Sequence, residues 1–171
     1  NPGILVVQNS KITTAFLEKL KIAFSDLQSA TMLNENIYKA YKNGKKHCIN
    51  TTGVSTLFES QNGNDEWKGE PAAAMVSASD FLANKNLQEE VFGPFTLAVV
   101  CENESEMRTV ANSLQGQLTA TIMATNKELE KSADLVDVLT QKAGRVIFNG
   151  VPTGVEVCYA MHHGGPFPST S

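Results

Sequence analysis

The opening part of the chain combines a short apolar run with two segments of helical spacing. The run Ile4–Val7 is rich in β-branched residues and lies between a glycine and a polar pair, which predicts a strand. Ser10 stands where a helix N-cap is expected, and the apolar positions after it recur at helical spacing to about Leu27. The same spacing predicts a second helix over Asn34–Lys46, with Gly44 near its end.

Two short apolar runs follow in the middle of the chain. They predict strands over Ser55–Glu59 and Ala72–Ser77. The stretch Gln61–Gly69 between them is polar and rich in glycine and asparagine, so we expect a surface loop or hairpin tip there.

Beyond position 95 the predicted strands and helices alternate. The runs FTLAVV, TATIMA and RVIFN predict strands, and the segments between them have helical spacing, the second ending at Gly144. Because this alternation is typical of βαβ units, we expect an α/β fold with a mostly parallel sheet and helices on both faces. Continuously apolar strands of this kind are buried on both faces. A chain of 171 residues can bury a sizeable core, so we predict one domain over 1–171.

Composition and charge limit the classes of partner that the protein could bind. The chain is 42% hydrophobic and 19% charged, which is typical of a globular protein. A net charge of -4 without a basic stripe argues against a nucleic-acid partner. No apolar run approaches the roughly 20 residues that cross a membrane, so no membrane partner is expected. Three cysteines at irregular spacing, with no CxxC pair, favour reduced thiols and a cytoplasmic location.

The cysteines and histidines are candidate reactive groups. Cys48 and Cys101 end a predicted helix and a predicted strand, so we interpret both as buried small hydrophobic residues. From Gly150 the chain becomes a long glycine- and proline-rich loop, and such loops often carry function. Cys158 lies there without a neighbouring cation to activate its thiol. His163 follows another histidine, but adjacent side chains point apart on an extended chain and no further ligand has the usual spacing, so no metal is predicted.

Four stretches, in order along the chain, resemble the aldehyde dehydrogenase superfamily: NPGILVVQ, QEEVFGP, LTATIMATNKELE and AGRVIFNG. The ending NGVPTGVEVCYAMHHGGPFPSTS is similar to one subgroup, the 2,5-dioxopentanoate (alpha-ketoglutaric semialdehyde) dehydrogenases. The resemblance implies the three-layer α/β/α sandwich of the superfamily's catalytic domain, with a mostly parallel sheet. It also implies oxidation of a small aldehyde to a carboxylate through a thioester, with NAD or NADP as cofactor.

The resemblance further implies roles for particular residues. Glu90 would hydrogen-bond the hydroxyls of the nicotinamide ribose, since a carboxylate can accept from two vicinal hydroxyls at once. Phe92 would pack near the nicotinamide ring. The residues implied to line the substrate tunnel are Val151, Pro152, Thr153, Cys158 and His163. The residues alone would favour a simpler interpretation, in which Glu89 and Glu90 belong to a solvated loop.

The superfamily's nucleophilic cysteine has no counterpart in the chain. By alignment of NPGILVV it would lie just before Asn1, and the nucleotide-binding domain of the same polypeptide would also lie upstream. We therefore expect a catalytic-domain fragment that is inactive alone and whose parent enzyme is a homo-oligomer. Two alternatives stay open: a non-catalytic binding domain on the same fold, and a relative that reduces acyl phosphates or acyl-CoA. The stretch FNGVPTGVEVCYAM argues against the second alternative.

Overall fold

The computed structural model describes residues 2–60, 67–152 and 164–167. The chain forms two compact units, an N-terminal unit over Asn1–Asn103 and a C-terminal unit over Glu104–Ser171. The single domain expected over 1–171 stays a prediction. Among the helices of the described residues, none is long and apolar enough to cross a membrane.

The N-terminal unit contains helices, strands and a short 3₁₀ turn at Lys85–Gln88. Its strands are β1 (Ile4–Gln8), β2 (Ala30–Thr31), β3 (Ser55–Glu59), β4 (Lys68–Gly69), β5 (Ala72–Ser77) and β6 (Phe95–Cys101). Its helices are α1 (Lys11–Ser25), α2 (Glu35–Ile49) and α3 (Ala78–Ala83). The strands predicted in this unit are therefore confirmed.

Strand β6 is central to the sheet of the N-terminal unit. The strand order is β1-β6-β5-β3, with β6 parallel to both of its neighbours and β3 antiparallel at the edge. Almost every residue of β6 is buried, as predicted for an apolar strand covered on both faces. A separate antiparallel pair joins β2 to β4. Part of the predicted loop at 61–69 is thus strand, and residues 61–66 lie outside the described ranges.

Side-chain caps start the first two helices: the cap at Ser10 is the predicted one, and Asn34, predicted as the first residue of the second helix, is its N-cap. The Ser10 hydroxyl accepts a hydrogen bond from the Thr13 N–H at 3.1 Å, and the Asn34 amide oxygen accepts one from the Ile37 N–H at 3.0 Å. The predicted end of α2 at Lys46, with Gly44 near it, is wrong by three residues, because the helix continues to Ile49.

A helical crossover that the sequence analysis missed joins β5 to β6. Parallel strands cannot be joined by a tight turn, and α3 with the 3₁₀ turn supplies the longer connection. The Ser77 hydroxyl caps α3 by accepting from the Asp80 N–H at 3.1 Å, and Phe81 is completely buried. The sequence signal for α3 was Ser77 followed three residues later by Asp80, directly before the apolar pair Phe81 and Leu82.

The C-terminal unit pairs two parallel strands, β7 (Gln117–Ile122) and β8 (Ala143–Phe148). Its helices are α4 (Glu104–Ser113), α5 (Asn126–Lys131) and α6 (Ala133–Lys142). The single helix predicted before Gly144 is wrong in two ways. Ser132 ends α5 by donating its N–H to Glu128 and Leu129 carbonyls, and Gly144 lies inside β8.

Strands β7 and β8 are less buried than the sequence predicts. Both contain several exposed or half-exposed residues. In the part of the chain that the structure describes, each pairs only with the other, so each keeps an open edge. Burial on both faces is therefore confirmed for β6 and is wrong for β7 and β8.

Replacement of Leu97 in β6 tests the location of the core. Leu97 is 2% exposed, whereas Leu33 in the same unit is 87% exposed. We expect Leu97→Ala to lower the free energy of unfolding by about 2–5 kcal/mol, because a buried cavity remains. Leu33→Ala should change it by less than about 0.5 kcal/mol. Urea denaturation measures both, and equal effects would place the core elsewhere.

Candidate functional site

A short extended segment, Glu89–Pro94, leads from the 3₁₀ turn into β6. From Glu90 to Gly93 its residues alternate in exposure, as expected when successive side chains point to opposite sides. Glu90 is exposed and Phe92 is 64% exposed, whereas Val91 and Gly93 are half-buried. The two residues implied to bind the cofactor therefore lie together on the outer side of one segment.

Helix α2 supports the inner side of this segment. Tyr41 and Gly44 lie one helical turn apart and face Gly93 and Val91 respectively. A Cβ on Gly44 would lie 3.5 Å from Val91 Cγ2, an ordinary contact. A Cβ on Gly93 would lie 2.7 Å from Tyr41 Cε2, closer than real atoms approach. Only glycine at 93 allows the main chain to lie against the aromatic ring.

The end of the segment is fixed by main-chain hydrogen bonds. The Ala72 N–H donates to the Pro94 carbonyl at 3.0 Å, and this is the first hydrogen bond of the parallel β5–β6 pairing, which begins at Ala72 and Phe95. The Phe95 N–H donates to the Gly93 carbonyl at 2.8 Å and forms a tight turn. The position of Pro94 is therefore fixed by the pairing of β5 with β6.

Tyr41 is held by a polar contact as well as by packing. Its ring is almost completely buried, and its hydroxyl donates a hydrogen bond to the Glu70 carbonyl. Burial raises the pKa of Tyr41 far above its ordinary value, and the nearby carboxylates of Glu70 and Glu59 raise it further. The phenol therefore stays neutral and remains a hydrogen-bond donor.

The residues implied to line the substrate tunnel belong to the C-terminal unit. Val151 and Pro152 follow β8 and are exposed. Thr153, Cys158 and His163 lie outside the described residues. The structure thus brings Val151 and Pro152 together after β8, and Glu90 and Phe92 together on their own segment of the N-terminal unit.

Asn149 fixes the point at which the terminal loop leaves β8, and the sequence analysis missed this role. Its side-chain amide donates to the Ala124 carbonyl at 2.9 Å and accepts from the Ala124 N–H at 3.0 Å. Its own N–H donates to the Ile122 carbonyl at 2.9 Å. Its φ of 50° lies in the left-handed region that asparagine tolerates. The signal was an asparagine followed by a glycine at the end of an apolar run.

Comparison with known proteins identifies the family. A sequence model of the aldehyde dehydrogenase family matches residues 4–167. The chain belongs to the aldehyde dehydrogenase family. The alpha-ketoglutaric semialdehyde dehydrogenase of Acinetobacter baylyi is 37% identical to it over 175 residues, which cover 99% of this chain and 32% of that protein. The chain spans about a third of the length of the curated relatives it matches.

Solved structures of aldehyde dehydrogenases have the same fold. Lactaldehyde dehydrogenase from Escherichia coli aligns with a TM-score of 0.73 at 18% identity, over 95% of this chain and 34% of that one. An NAD-dependent aldehyde dehydrogenase from Sinorhizobium meliloti aligns with a TM-score of 0.72 at 21% identity, over 89% of this chain and 31% of that one. The predicted α/β fold with a mostly parallel sheet is confirmed, and so is the resemblance to the family.

Two cysteines of this aldehyde dehydrogenase chain are described, and both are buried. Cys48 is 5% exposed and Cys101 is completely buried. Burial raises the pKa of the Cys48 thiol to about 11. A thiolate nucleophile needs the opposite shift, so Cys48 is inert, as the sequence predicts.

Acidic groups and histidines do not gather into a metal site in the described ranges. Within 2–60, 67–152 and 164–167, no group of three His, Cys, Asp or Glu residues could hold an ion. His162, His163 and Cys158 lie outside those ranges. The predicted absence of a metal stays a prediction.

Substitution of Gly93 tests the contact with Tyr41. We expect Gly93→Ala to lower the free energy of unfolding by about 1–3 kcal/mol, because the new methyl group overlaps a buried ring. Gly3→Ala is the matched control, since a Cβ there would meet nothing within 4 Å. Urea denaturation compares the two variants. A Gly93→Ala protein as stable as the Gly3→Ala protein would contradict the packing described.

Alkylation of Cys48 tests its burial. We expect iodoacetamide to modify Cys48 slowly at pH 8.5 in the folded protein and rapidly in urea, because burial disfavours the thiolate. The stabilisation associated with the neutral thiol is complete below its ordinary pKa and is lost as the pH rises towards about 11. Mass spectrometry of peptides measures the modification. Rapid labelling of the folded protein would contradict the burial of Cys48.

Proposed function

We propose that the chain is part of an enzyme that oxidises a small aldehyde to a carboxylate with a nicotinamide dinucleotide as cofactor. The observation that carries this proposal is the exposed pair Glu90 and Phe92 on a segment fixed by α2 and β5. Membership of the aldehyde dehydrogenase family supports it. So does the similarity to the Sinorhizobium meliloti enzyme, an NAD-dependent aldehyde dehydrogenase.

The Glu90 carboxylate suits the ribose of that cofactor. The carboxylate is exposed, so it need not break a buried interaction within the protein in order to bind a ligand. Its two oxygens can accept hydrogen bonds from neighbouring ribose hydroxyls. The exposed Phe92 ring offers a flat apolar surface to the nicotinamide ring. When bound, the cofactor would supply the acceptor for a hydride, and Glu90 and Phe92 would orient it.

We propose 2,5-dioxopentanoate as the aldehyde. Support comes from the Acinetobacter baylyi relative, whose name is alpha-ketoglutaric semialdehyde dehydrogenase and whose 37% identity extends over 99% of this chain. The proposed substrate tunnel is lined by Val151, Pro152, Thr153, Cys158 and His163. Of these residues, Val151 and Pro152 directly follow β8, whose end is held by the hydrogen bonds of Asn149 to Ala124.

We propose that the nucleophile of the thioester mechanism is supplied by another part of a longer polypeptide. The described cysteines cannot act, because Cys48 and Cys101 are buried and a nucleophile must reach the substrate. The nucleotide-binding domain would come from the same longer polypeptide, and residues 1–171 would belong to its catalytic domain. The chain alone would then be inactive. A homo-oligomeric, cytoplasmic parent enzyme that uses NAD or NADP stays a prediction.

Substitution of Glu90 in the full-length protein tests the proposed function. We expect Glu90→Gln to raise KM for the nicotinamide cofactor by about tenfold to a hundredfold, because a charge-assisted hydrogen bond contributes about 1.5–3 kcal/mol. Steady-state kinetics with 2,5-dioxopentanoate and either NAD or NADP measures the change.

Glu89→Gln is the control, since Glu89 is the neighbouring exposed carboxylate and is assigned no ligand. It should leave KM for the cofactor within about twofold of wild type, as expected for a solvated surface charge. Equal effects of the two substitutions would remove Glu90 from the cofactor site. A full-length protein that turns over no aldehyde would instead favour the non-catalytic binding domain.

A further inference from the structure

A buried lysine lies on α2, the helix whose Tyr41 and Gly44 face the segment Glu89–Pro94. The Lys45 side chain of α2 is 7% exposed. Its ammonium lies 3.1 Å from a carboxylate oxygen of Glu59 and 3.3 Å from one of Glu70. Lysine is rarely buried, and only close pairing with opposite charge makes its burial tolerable.

The three charged groups join separate elements of the N-terminal unit. Lys45 belongs to α2, Glu59 ends β3, and Glu70 lies between β4 and β5. The two carboxylates are partly exposed, at 36% and 25%. Without the ammonium they would repel each other across the space that Lys45 fills. Lys45 therefore holds α2 against the strands beside it.

The same residues connect to the proposed cofactor segment through Tyr41. Tyr41 lies one turn before Lys45, whose ammonium is 5.9 Å from the centre of the aromatic ring. The Tyr41 hydroxyl donates to the carbonyl of Glu70, the residue whose carboxylate Lys45 binds. The Tyr41 ring in turn lies directly against Gly93.

Glu70 also precedes the hydrogen bond that fixes the end of the segment. Two residues after it, the Ala72 N–H donates to the Pro94 carbonyl at 3.0 Å. A shift of Glu70 would therefore disturb both supports of the segment, the Tyr41 ring and the Pro94 hydrogen bond. Small shifts of a binding group weaken the ligand contacts that depend on its position.

We propose that Lys45 is a positioning residue for the nicotinamide cofactor. By pairing with Glu59 and Glu70, it fixes Tyr41 beneath Gly93 and so keeps Glu90 and Phe92 where they bind the cofactor. This proposal rests on the proposed function. It differs from a purely structural role, which would lower the stability of the protein without changing the affinity of the folded fraction for the nucleotide.

The experiment uses Lys45→Met in the full-length protein, because methionine keeps much of the apolar stem and removes the charge. Lys39→Met is the matched control on the same helix. Lys39 pairs with Glu35 at 2.7 Å, but its side chain is 63% exposed. Binding of NADH and of NADPH is measured by fluorescence titration, with urea denaturation of each variant in parallel.

We expect Lys45→Met to weaken nucleotide binding about tenfold, less than the hundredfold that a 1 Å misplacement can cost. Lys39→Met should stay within about twofold, because an exposed ion pair contributes little. KM for the aldehyde at saturating cofactor should not change with either substitution. Weaker folding of Lys45→Met with unchanged nucleotide affinity would overturn the proposal. If Lys45→Met does not fold, Glu70→Gln is measured instead. A Glu70→Gln protein whose nucleotide affinity stays within twofold of wild type would then overturn the proposal.

Combined substitutions separate this proposal from the proposed function. If Lys45 acts through Glu90 and Phe92, adding Lys45→Met to a Glu90→Ala/Phe92→Ala protein should weaken binding little further, since the three residues are coupled. Effects that multiply would overturn the positioning role. If Glu90→Ala weakens binding and Lys45→Met does not, the positioning role alone is wrong. If the wild-type protein binds neither nucleotide, the proposed function is wrong and the positioning role is wrong with it.

Discussion

The contact between the Tyr41 ring and the main chain at Gly93 is the constraint on which the candidate site depends. The ring occupies the space in which any side chain at position 93 would stand. Because the ring is buried and its hydroxyl is bound to the Glu70 carbonyl, the ring cannot move aside freely. The segment beside it is therefore held in place, and its alternation presents Glu90 and Phe92 outwards.

Close approach at glycine positions also organises the C-terminal unit. A Cβ on Gly144 would lie 2.6 Å from the Gly165 nitrogen, and a Cβ on Gly116 would lie 2.7 Å from the Phe167 carbonyl oxygen. Residues 164–167 thus lie against the beginnings of β7 and β8. Asn149 fixes the opposite end of the same two strands. The described residues 149 and 164–167 are therefore both attached to the β7–β8 pair.

The sequence predicted the elements that depend on local pattern. Strand β6 and the starts of α1 and α2 follow from apolar runs and helical spacing, with the cap at Ser10 marking the start of α1. The same local rules placed the end of α2 wrongly, because Gly44 is typical of a helix end. In the structure Gly44 lies within the helix, where Val91 packs against it, and that contact comes from a distant part of the chain.

The candidate site was predicted in a different way. Glu90 and Phe92 came from resemblance to a family, since local pattern alone would assign them to a solvated loop. What local pattern could not provide is the support behind them, because Tyr41, Lys45 and Glu70 meet only through long-range packing. A lysine in an amphipathic helix is ordinarily expected on the solvent side, and Lys45 is the exception.

A crystal structure of the full-length protein with its nicotinamide cofactor would test the central claim most directly. The account predicts that both oxygens of the Glu90 carboxylate lie about 2.5–3.0 Å from the ribose hydroxyls, with the Tyr41 ring still against Gly93. A ribose bound by other residues, with Glu90 in solvent, would contradict the account.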